Sequence, residues 1–538
     1  MASFTTTPSS ADNPPAAAAD QGEVFAFLAD PRSHDLLLPV IRIDTHTAVV
    51  FLAGIDVYKV KRAVRFAFLD QSTIEKRQKA CETEVKVNRR YAPEIYYGAV
   101  PITREPSGLE IAGAGEPVEW AVYMRRFDET RTLDHVAERG ELGMQLVMRL
   151  VEVILATYRE AEIRDGGAAT AALRGVIEET LAELAAADRL FPTDDTAELA
   201  AAMTARFRRL MPLLLDRGRE GCVRRCHGDL HLRNITLLNG VPTPFDAIEF
   251  DESIATIDIL YDLAFLLMDL WEEGLSAQAN LVLNRYLWGS PDLEGELEGL
   301  ATLPLFMSLR AAVRAKVEAL RLREVVEGTR DAGEARRYFS FARAFMTETP
   351  PRLVAIGGLS GTGKSTIAAR VAPRGGRAPG AVHLRSDVER KRMFGVAEHR
   401  RLPEEAYARS VTERVFAALR EQAALALAAG QSVVVDAVHR RLEERQAIAD
   451  VAATLHVPFA GVWLETPVDT AAERVSARRD DASDATAAIV ARQAAQPTGP
   501  ISWARIDASG SIDDVVTAAL AAIGAAPPPH RGRPERES

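Results

Sequence analysis

From about residue 40 to 125 the apolar positions come in short, β-rich runs: TAVVFLAG, VYKVKRAV, YYGAVPI and VEWAVYM. One stretch of helical spacing, TIEKRQKACETEVKVNRRY, lies between them. Alternation of this kind predicts a small sheet crossed by a single helix. From about 141 to 220, and again from about 252 to 345, the apolar residues recur at helical spacing, and between the two helical blocks sits the polar string RRCHGDLHLRNITLLNG. TETPP at Thr347 to Pro351 interrupts the pattern, because each proline lacks a donor N–H and restricts the residue before it. Beyond it the strand-like runs RLVAIGG, AVHLRS, SVVVDAV and FAGVWLE alternate with Ala-rich helical stretches, which predicts a parallel α/β sheet. The chain therefore divides into a disordered 1–20, a first domain at 21–345, a linker at 346–352, a second domain at 353–525 and a disordered, Pro-rich tail at 526–538. There is no internal repeat of 20 to 50 residues.

Composition narrows the classes. Hydrophobic residues at 47% and charged residues at 26% of 538 are those of a folded globular chain, and the length suits two large domains. The net charge of −11 provides no cationic field for polyanions, so nucleic acid is not an expected partner. Three cysteines cannot make a disulfide framework, and the N-terminal residues lack a secretory pattern, so a reducing, cytoplasmic setting is expected. The nearest approach to a membrane span, Leu263 to Leu270, follows Asp262, contains Asp269 and falls short of one.

The first chemistry-bearing string is His227-Gly-Asp229-Leu-His231-Leu-Arg233-Asn234, of the form H-x-D-L-x-x-x-N. In a phosphoryl-transfer loop such an Asp takes the acceptor hydroxyl proton, and an Asn five residues later reaches a metal on the nucleotide phosphates. Asp246, Glu249 and Asp251 follow, after a turn, LLNGVPTP, that reads as a hairpin. This region resembles the aminoglycoside phosphotransferase and choline kinase branch of the protein-kinase-like fold, over roughly residues 35 to 345. Its loop H-G-D-x-x-x-x-N stands at 227 to 234, and its usual I-D-F is matched by Ile248-Glu249-Phe250. Because Glu stands where Asp is usual, the metal assignment is divided between Glu249 and Asp246, with Asp251 third. The resemblance implies Asn234 as the other metal ligand. It also implies an ATP-anchoring lysine, either Lys59 or Lys61, which share one strand face, paired with Glu84 in preference to Glu82. Asp262 in YDLAFLLMDL matches the Y-D-L-A segment of the same family. Cys222, Cys226, His227 and His231 have a spacing unlike that of common zinc sites, and the kinase loop already accounts for the histidines.

The second string, Gly358-Leu-Ser360-Gly361-Thr362-Gly363-Lys364-Ser365, fits a P-loop, with a strand before it and a helix, opening with Ser365 and Thr366, after it. Its backbone N–H groups would cradle phosphates, Lys364 would reach the β and γ oxygens, and Ser365 would ligate magnesium. Asp387 and Arg390 follow at i, i+3 after the next strand, which resembles the D-x-x-R of small P-loop kinases such as polynucleotide, gluconate, chloramphenicol and zeta-toxin kinases. That resemblance implies Asp387 as the base acting on the acceptor hydroxyl and Arg390 as a substrate or phosphate ligand. Asp436 would be a Walker-B-like acid near magnesium, and Arg474, Arg478 and Arg479 would belong to an arginine-bearing lid.

The expected fold is thus an α+β protein-kinase-like domain followed by an α/β P-loop NTPase domain with a parallel sheet. It is similar to bacterial bifunctional proteins that join the two. ATP and Mg2+ are the expected cofactors, and small molecules bearing a hydroxyl are the expected acceptors. A rival expectation is a nucleotide-sensing regulator that phosphorylates no metabolite.

Overall fold

The β-branched and aromatic runs of the first 125 residues form six strands: β1 Ile41–Asp44, β2 Ala48–Ala53, β3 Asp56–Lys61, β4 Tyr96–Glu105, β5 Gly108–Ile111 and β6 Glu116–Arg125. They pair antiparallel in the order β1-β2-β3-β6-β4-β5. A computed structural model of the protein describes residues 21–66, 69–324, 332–477 and 482–524. The disorder expected of 1–20 and 526–538, and the lid residues Arg478 and Arg479, lie outside the described residues.

The helix Ile74–Asn88 crosses this sheet, opened by the Thr73 side chain, which accepts from the Lys76 N–H. It buries Arg77, Cys81, Glu84, Val85 and Asn88, a spacing that marks one helical face. Cys81 and Val85 pack with Val50, Val57, Ile95 and Val122. The two charges on that face are matched across the interface: Arg77 stands 2.8 Å from Glu119, and Glu84 meets lysines of β3. Farther along, the strands Ile235–Leu238 and Val241–Pro244 form the expected hairpin. Its two-residue turn, Asn239-Gly240, has φ of 52° and 81°, the backbone that a tight hairpin turn demands and that Asn-Gly supplies.

After the prolines come β7 Leu353–Gly358, β8 Val382–Arg385, β9 Val433–Asp436, β10 Phe459–Glu465 and β11 Ala504–Asp507. All are parallel, in the order β8-β9-β7-β10-β11. β7 and β9 are buried at every position, as befits parallel strands covered on both faces. Ile367 and Val371 of one helix and Val515, Val516 and Leu520 of another pack against Val354 and Ile356 of β7.

The chain folds as two units, one built from residues up to 269 together with 305–346, the other from 270–304 together with 347 onward. Residues 270–304 fall inside the 21–345 stretch read as one domain, and polar side chains explain why they pack with the P-loop sheet instead. β8 is the sheet's edge, and the helix Ser276–Gly289 supplies the hydrogen bonds a neighbouring strand would make. The His383 N–H donates to Asn284 Oδ1 at 2.7 Å, and the Trp288 indole donates to the His383 carbonyl at 3.2 Å. Asn280 Nδ2 donates to the carbonyls of Pro379 (3.1 Å) and Ala381 (3.0 Å). Among the described residues no helix is long and apolar enough to cross a membrane.

Candidate active sites

In the first unit β3 points Lys59 and Lys61 to one side, and both reach Glu84 of the crossing helix. Lys59 Nζ is 2.8 Å from Glu84 Oε1, and Lys61 Nζ is 2.5 Å from Glu84 Oε2. Their other partners differ: Lys59 continues to Asp246 at 3.3 Å, Lys61 to Glu249 at 2.6 Å. Only Lys59 and Asp246 line the cavity of about 640 Å³ walled by Ile43, Val50, Met124 and Phe245. Glu82 instead accepts from Gln78 on the helix surface, and Asp251 caps a short turn by accepting from the Ser253 N–H at 2.8 Å. Burial works against the Lys59 charge, yet Asp246 and Glu84 outweigh it and hold the ammonium well above its ordinary range. Burial likewise opposes the Glu84 charge, and the two lysines hold its carboxyl down at about 2.

The residues of the 227–234 string are tied to the rest of the first unit by buried hydrogen bonds. Gly228 has φ of 86°, and a Cβ there would stand 3.0 Å from Ile248 Cδ1, so the position demands glycine. Its N–H donates to Asp262 Oδ1 at 2.8 Å, and the buried Tyr158 hydroxyl donates to the other oxygen at 3.1 Å. His227 Nε2 lies 3.0 Å from the Phe245 carbonyl, which ties the loop to the residue before Asp246. Asn234 Nδ2 donates to Asp229 Oδ2 at 2.9 Å, and His231 Nε2 is 3.3 Å from the same oxygen. Burial would raise the Asp229 carboxyl, but His231 and Arg314 prevail and hold it at about 2, ionised. Among the described residues no three His, Cys, Asp or Glu side chains group closely enough to hold a metal alone. Cys226 and His227 face backbone carbonyls instead.

Arg310 also belongs to this loop, its Nη1 donating to the Gly228 carbonyl at 3.0 Å. Sequence reasoning missed it and Arg314, because they stand in a helix rich in arginine with nothing in the spacing to distinguish them.

In the second unit the P-loop leaves β7 with Gly358, Gly361 and Gly363 at φ of 141°, 87° and 89°. A Cβ on Gly361 would stand 2.3 Å from the Ala471 carbonyl oxygen. Lys364 Nζ donates to the Leu359 carbonyl at 2.9 Å, curled over its own loop, and the Thr362 hydroxyl donates to the same oxygen at 2.9 Å. Ser365 and Thr366 stand in the first turn of the helix Lys364–Val371. Gln493 was not anticipated: its Oε1 accepts from the Ser360 N–H at 2.9 Å, occupying one of the loop's donors.

Asp436 ends β9, 3.7 Å from His383 Nε2 and 3.8 Å from Arg385 Nε. Burial opposes its charge, but His383, Lys364 and Arg385 hold it at about 2. Burial and the neighbouring Asp436 push the Asp387 carboxyl the other way, above its ordinary value. Arg390 is buried, with Nη1 on the Ala406 carbonyl at 2.7 Å and its guanidinium over the Tyr407 ring. Arg474 donates to the Ala508 carbonyl at 2.9 Å. Both arginines thus engage main-chain carbonyls, which fixes where their guanidinium groups sit.

Comparison with known proteins covers most of the chain. Uncharacterized protein Rv2004c of Mycobacterium tuberculosis (strain ATCC 25618 / H37Rv) is 31% identical over 476 residues, 87% of this chain and 92% of that protein. The chain belongs to the family of this mycobacterial protein. Another member, Uncharacterized protein Mb2027c of Mycobacterium bovis, matches with the same identity and coverage. Residues 353–500 of this chain match the model of an AAA domain. Similar solved structures include a gluconokinase from Sinorhizobium meliloti 1021, with 22% identity, a TM-score of 0.24, and coverage of 33% of this chain and 94% of that one. A choline/ethanolamine kinase family protein from Mesorhizobium loti has 15% identity, a TM-score of 0.36, and coverage of 60% and 94%. The chain's own sheets and loops show an antiparallel sheet crossed by one helix in the first unit, and a parallel sheet with a P-loop in the second.

Proposed function

We propose that the chain is an ATP-dependent phosphotransferase with two nucleotide sites, each transferring the γ-phosphoryl group to a hydroxyl of a small molecule. The observation that carries this reading is the buried Asp229 carboxylate, bonded to Asn234 on the loop that His227 ties to Phe245, next to Asp246. In the first site Lys59, held by Glu84 at the cavity, takes the nucleotide phosphates, and Asn234 and Asp246 hold the metal. Asp229 orients the acceptor hydroxyl and receives its proton as the oxygen bonds to the γ-phosphorus and the bond to ADP breaks. In the second site Lys364 and the loop N–H groups take the phosphates, Ser365 and Asp436 hold the metal, and Asp387 is the base. A carboxyl raised by burial and by Asp436 is a better proton acceptor than an ordinary one. Arg390 and Arg474 are the cationic groups on the acceptor side. Magnesium neutralises charge on the β and γ phosphates when it is bound. Two protein ligands per site suit it, since magnesium keeps phosphate oxygens and waters for the rest of its shell.

A second reading, a nucleotide-sensing regulator, is favoured by one contact, that of Gln493 on the P-loop amide of Ser360. An ATP-consumption screen against a metabolite library, run with the wild type and with Asp229→Ala and Lys364→Ala separately, tests both readings. Acceptor-dependent turnover lost in one variant assigns that activity to one site. Equal basal hydrolysis with every compound favours the regulator.

A further inference from the structure

A second cavity of the first unit, of about 470 Å³, is lined on one side by the helix Ile74–Asn88 with Arg90 and on the other by residues 225–226 and 249–252. Its volume falls in the range of small-molecule sites. It shares no lining residue with the cavity of Lys59 and Asp246, so the two are separate. Its charge sets it apart: six cations line it against four carboxylates, in a chain whose net charge is −11.

All four carboxylates are already matched. Asp70 is 2.6 Å from Lys76, Glu249 is 2.6 Å from Lys61, and Glu162 and Glu252 each stand 2.5 Å from Arg164. The other cations of the lining, Lys79, Lys86, Arg90 and Arg225, have no carboxylate within ion-pairing distance among the described residues. Lys79 and Lys86 stand seven residues apart, two turns along one face of the helix, and both are exposed. Arg90 is exposed too, and its place is fixed: Nη1 donates to the Arg225 carbonyl at 3.1 Å, which holds the guanidinium on the opposite wall and leaves the rest of its N–H donors unengaged. The buried Arg225 donates to the carbonyls of Cys226, at 2.7 Å, and Ile248. Accessible cations therefore stand on both sides of the cavity, and no acid of its lining is free to answer them.

We propose that this cavity binds a phosphate dianion, free or carried on a small molecule, between Lys79 and Lys86 on the helix side and Arg90 on the other. A phosphate suits the site better than a carboxylate, because it brings a second charge and three terminal oxygens, enough to accept from the arginine fork and from both ammonium groups at once. Cys226 and Glu249 line the same cavity, so the bound phosphate would lie beside the residue before His227 and beside the partner of Lys61. The proposal stands independently of the phosphotransfer reading.

Isothermal titration of the full-length Lys364→Ala chain, in which the P-loop lacks its lysine, provides the test. Three probes are compared at about pH 7.5, where a phosphate monoester is mostly dianionic: phenyl phosphate, phenyl sulfate, which has the same shape and one charge fewer, and inorganic phosphate. One phenyl phosphate per chain is expected, with phenyl sulfate at least about fivefold weaker. Adding Lys79→Gln and Lys86→Gln together should weaken phenyl phosphate by at least about tenfold, and because both side chains are exposed the fold is not at stake. Inorganic phosphate binding more weakly than phenyl phosphate would assign the site to a phosphate ester, and equal binding would assign it to the free ion. Absence of phenyl phosphate binding, equal affinity for phenyl phosphate and phenyl sulfate, or undiminished binding after the two lysine substitutions would each overturn the proposal.

Discussion

Asn234 Nδ2 donates to the carboxylate of Asp229 at 2.9 Å, so one amide holds the group proposed as the base while its own oxygen remains for the proposed metal. Asp229→Asn should therefore lower phosphotransfer at the first site by about 10²–10⁴-fold and leave ATP binding there nearly unchanged. Turnover is measured with the second site disabled by Lys364→Ala. Wild-type turnover in the double variant would remove Asp229 from its assigned role.

Lys59 and Lys61 should separate in their effects although they share Glu84. Lys59→Ala is expected to weaken ATP binding at the first site by at least about tenfold, because Lys59 alone of the two lines the cavity. Lys61→Ala should change ATP affinity little but destabilise the unit by about 3 kcal/mol, since it leaves the carboxylate of Glu249 without its cation and Glu84 with Lys59 alone. Titration calorimetry and urea unfolding of the two variants would distinguish them. The reverse ranking in affinity would make Lys61 the anchoring residue.

Gln493→Ala should tighten magnesium–ATP binding at the P-loop. The wild-type nucleotide must displace Gln493 Oε1 from the Ser360 N–H, and an exchange of one hydrogen bond is worth about 1 kcal/mol, or roughly fivefold in affinity. Weaker binding in this variant would mean that Gln493 helps to hold the nucleotide instead.

His439 carries a pH dependence of known sign. Both ring nitrogens are buried without partners, between the rings of Phe416 and Trp503, and burial holds its pKa at about 3 against the opposing pull of nearby Asp436. A histidine whose folded pKa is depressed contributes stability that is present above its unfolded value, about 6.5, and is lost as pH falls toward 3. His439→Phe should therefore gain stability relative to the wild type on going from pH 7 to pH 5. Unfolding midpoints that fall equally in both proteins would contradict this.

Much of this chemistry was legible because phosphate and proton handling fix residue type and spacing together. The Asp229 to Asn234 interval and the glycines around Lys364 leave little freedom. The choice between Lys59 and Lys61 was not legible, since a strand places both on one face and only the cavity wall separates them. The choice between Asp246 and Glu249 stayed open in the sequence for a different reason, which lies with Asp246. It sits at φ of 58°, a conformation the sequence does not announce, two residues before the Ile248-Glu249-Phe250 string that drew attention to Glu249. Asn280, Asn284 and Trp288 were invisible because edge capping uses single side chains with no repeating period.

The helix Ser276–Gly289 bears on how such a gene is divided or shuffled. Because residues 270–304 complete the edge of the P-loop sheet, the polypeptide passes from one unit to the other three times, not once at the prolines. A fragment beginning at residue 347 would carry every P-loop residue and still leave the His383 N–H of β8 without its acceptor, an exposed edge open to pairing with other chains. A fragment ending at 346 would carry a helix whose buried face has lost its sheet. A fragment or exchange that is to keep either unit intact must therefore carry both of that unit's segments.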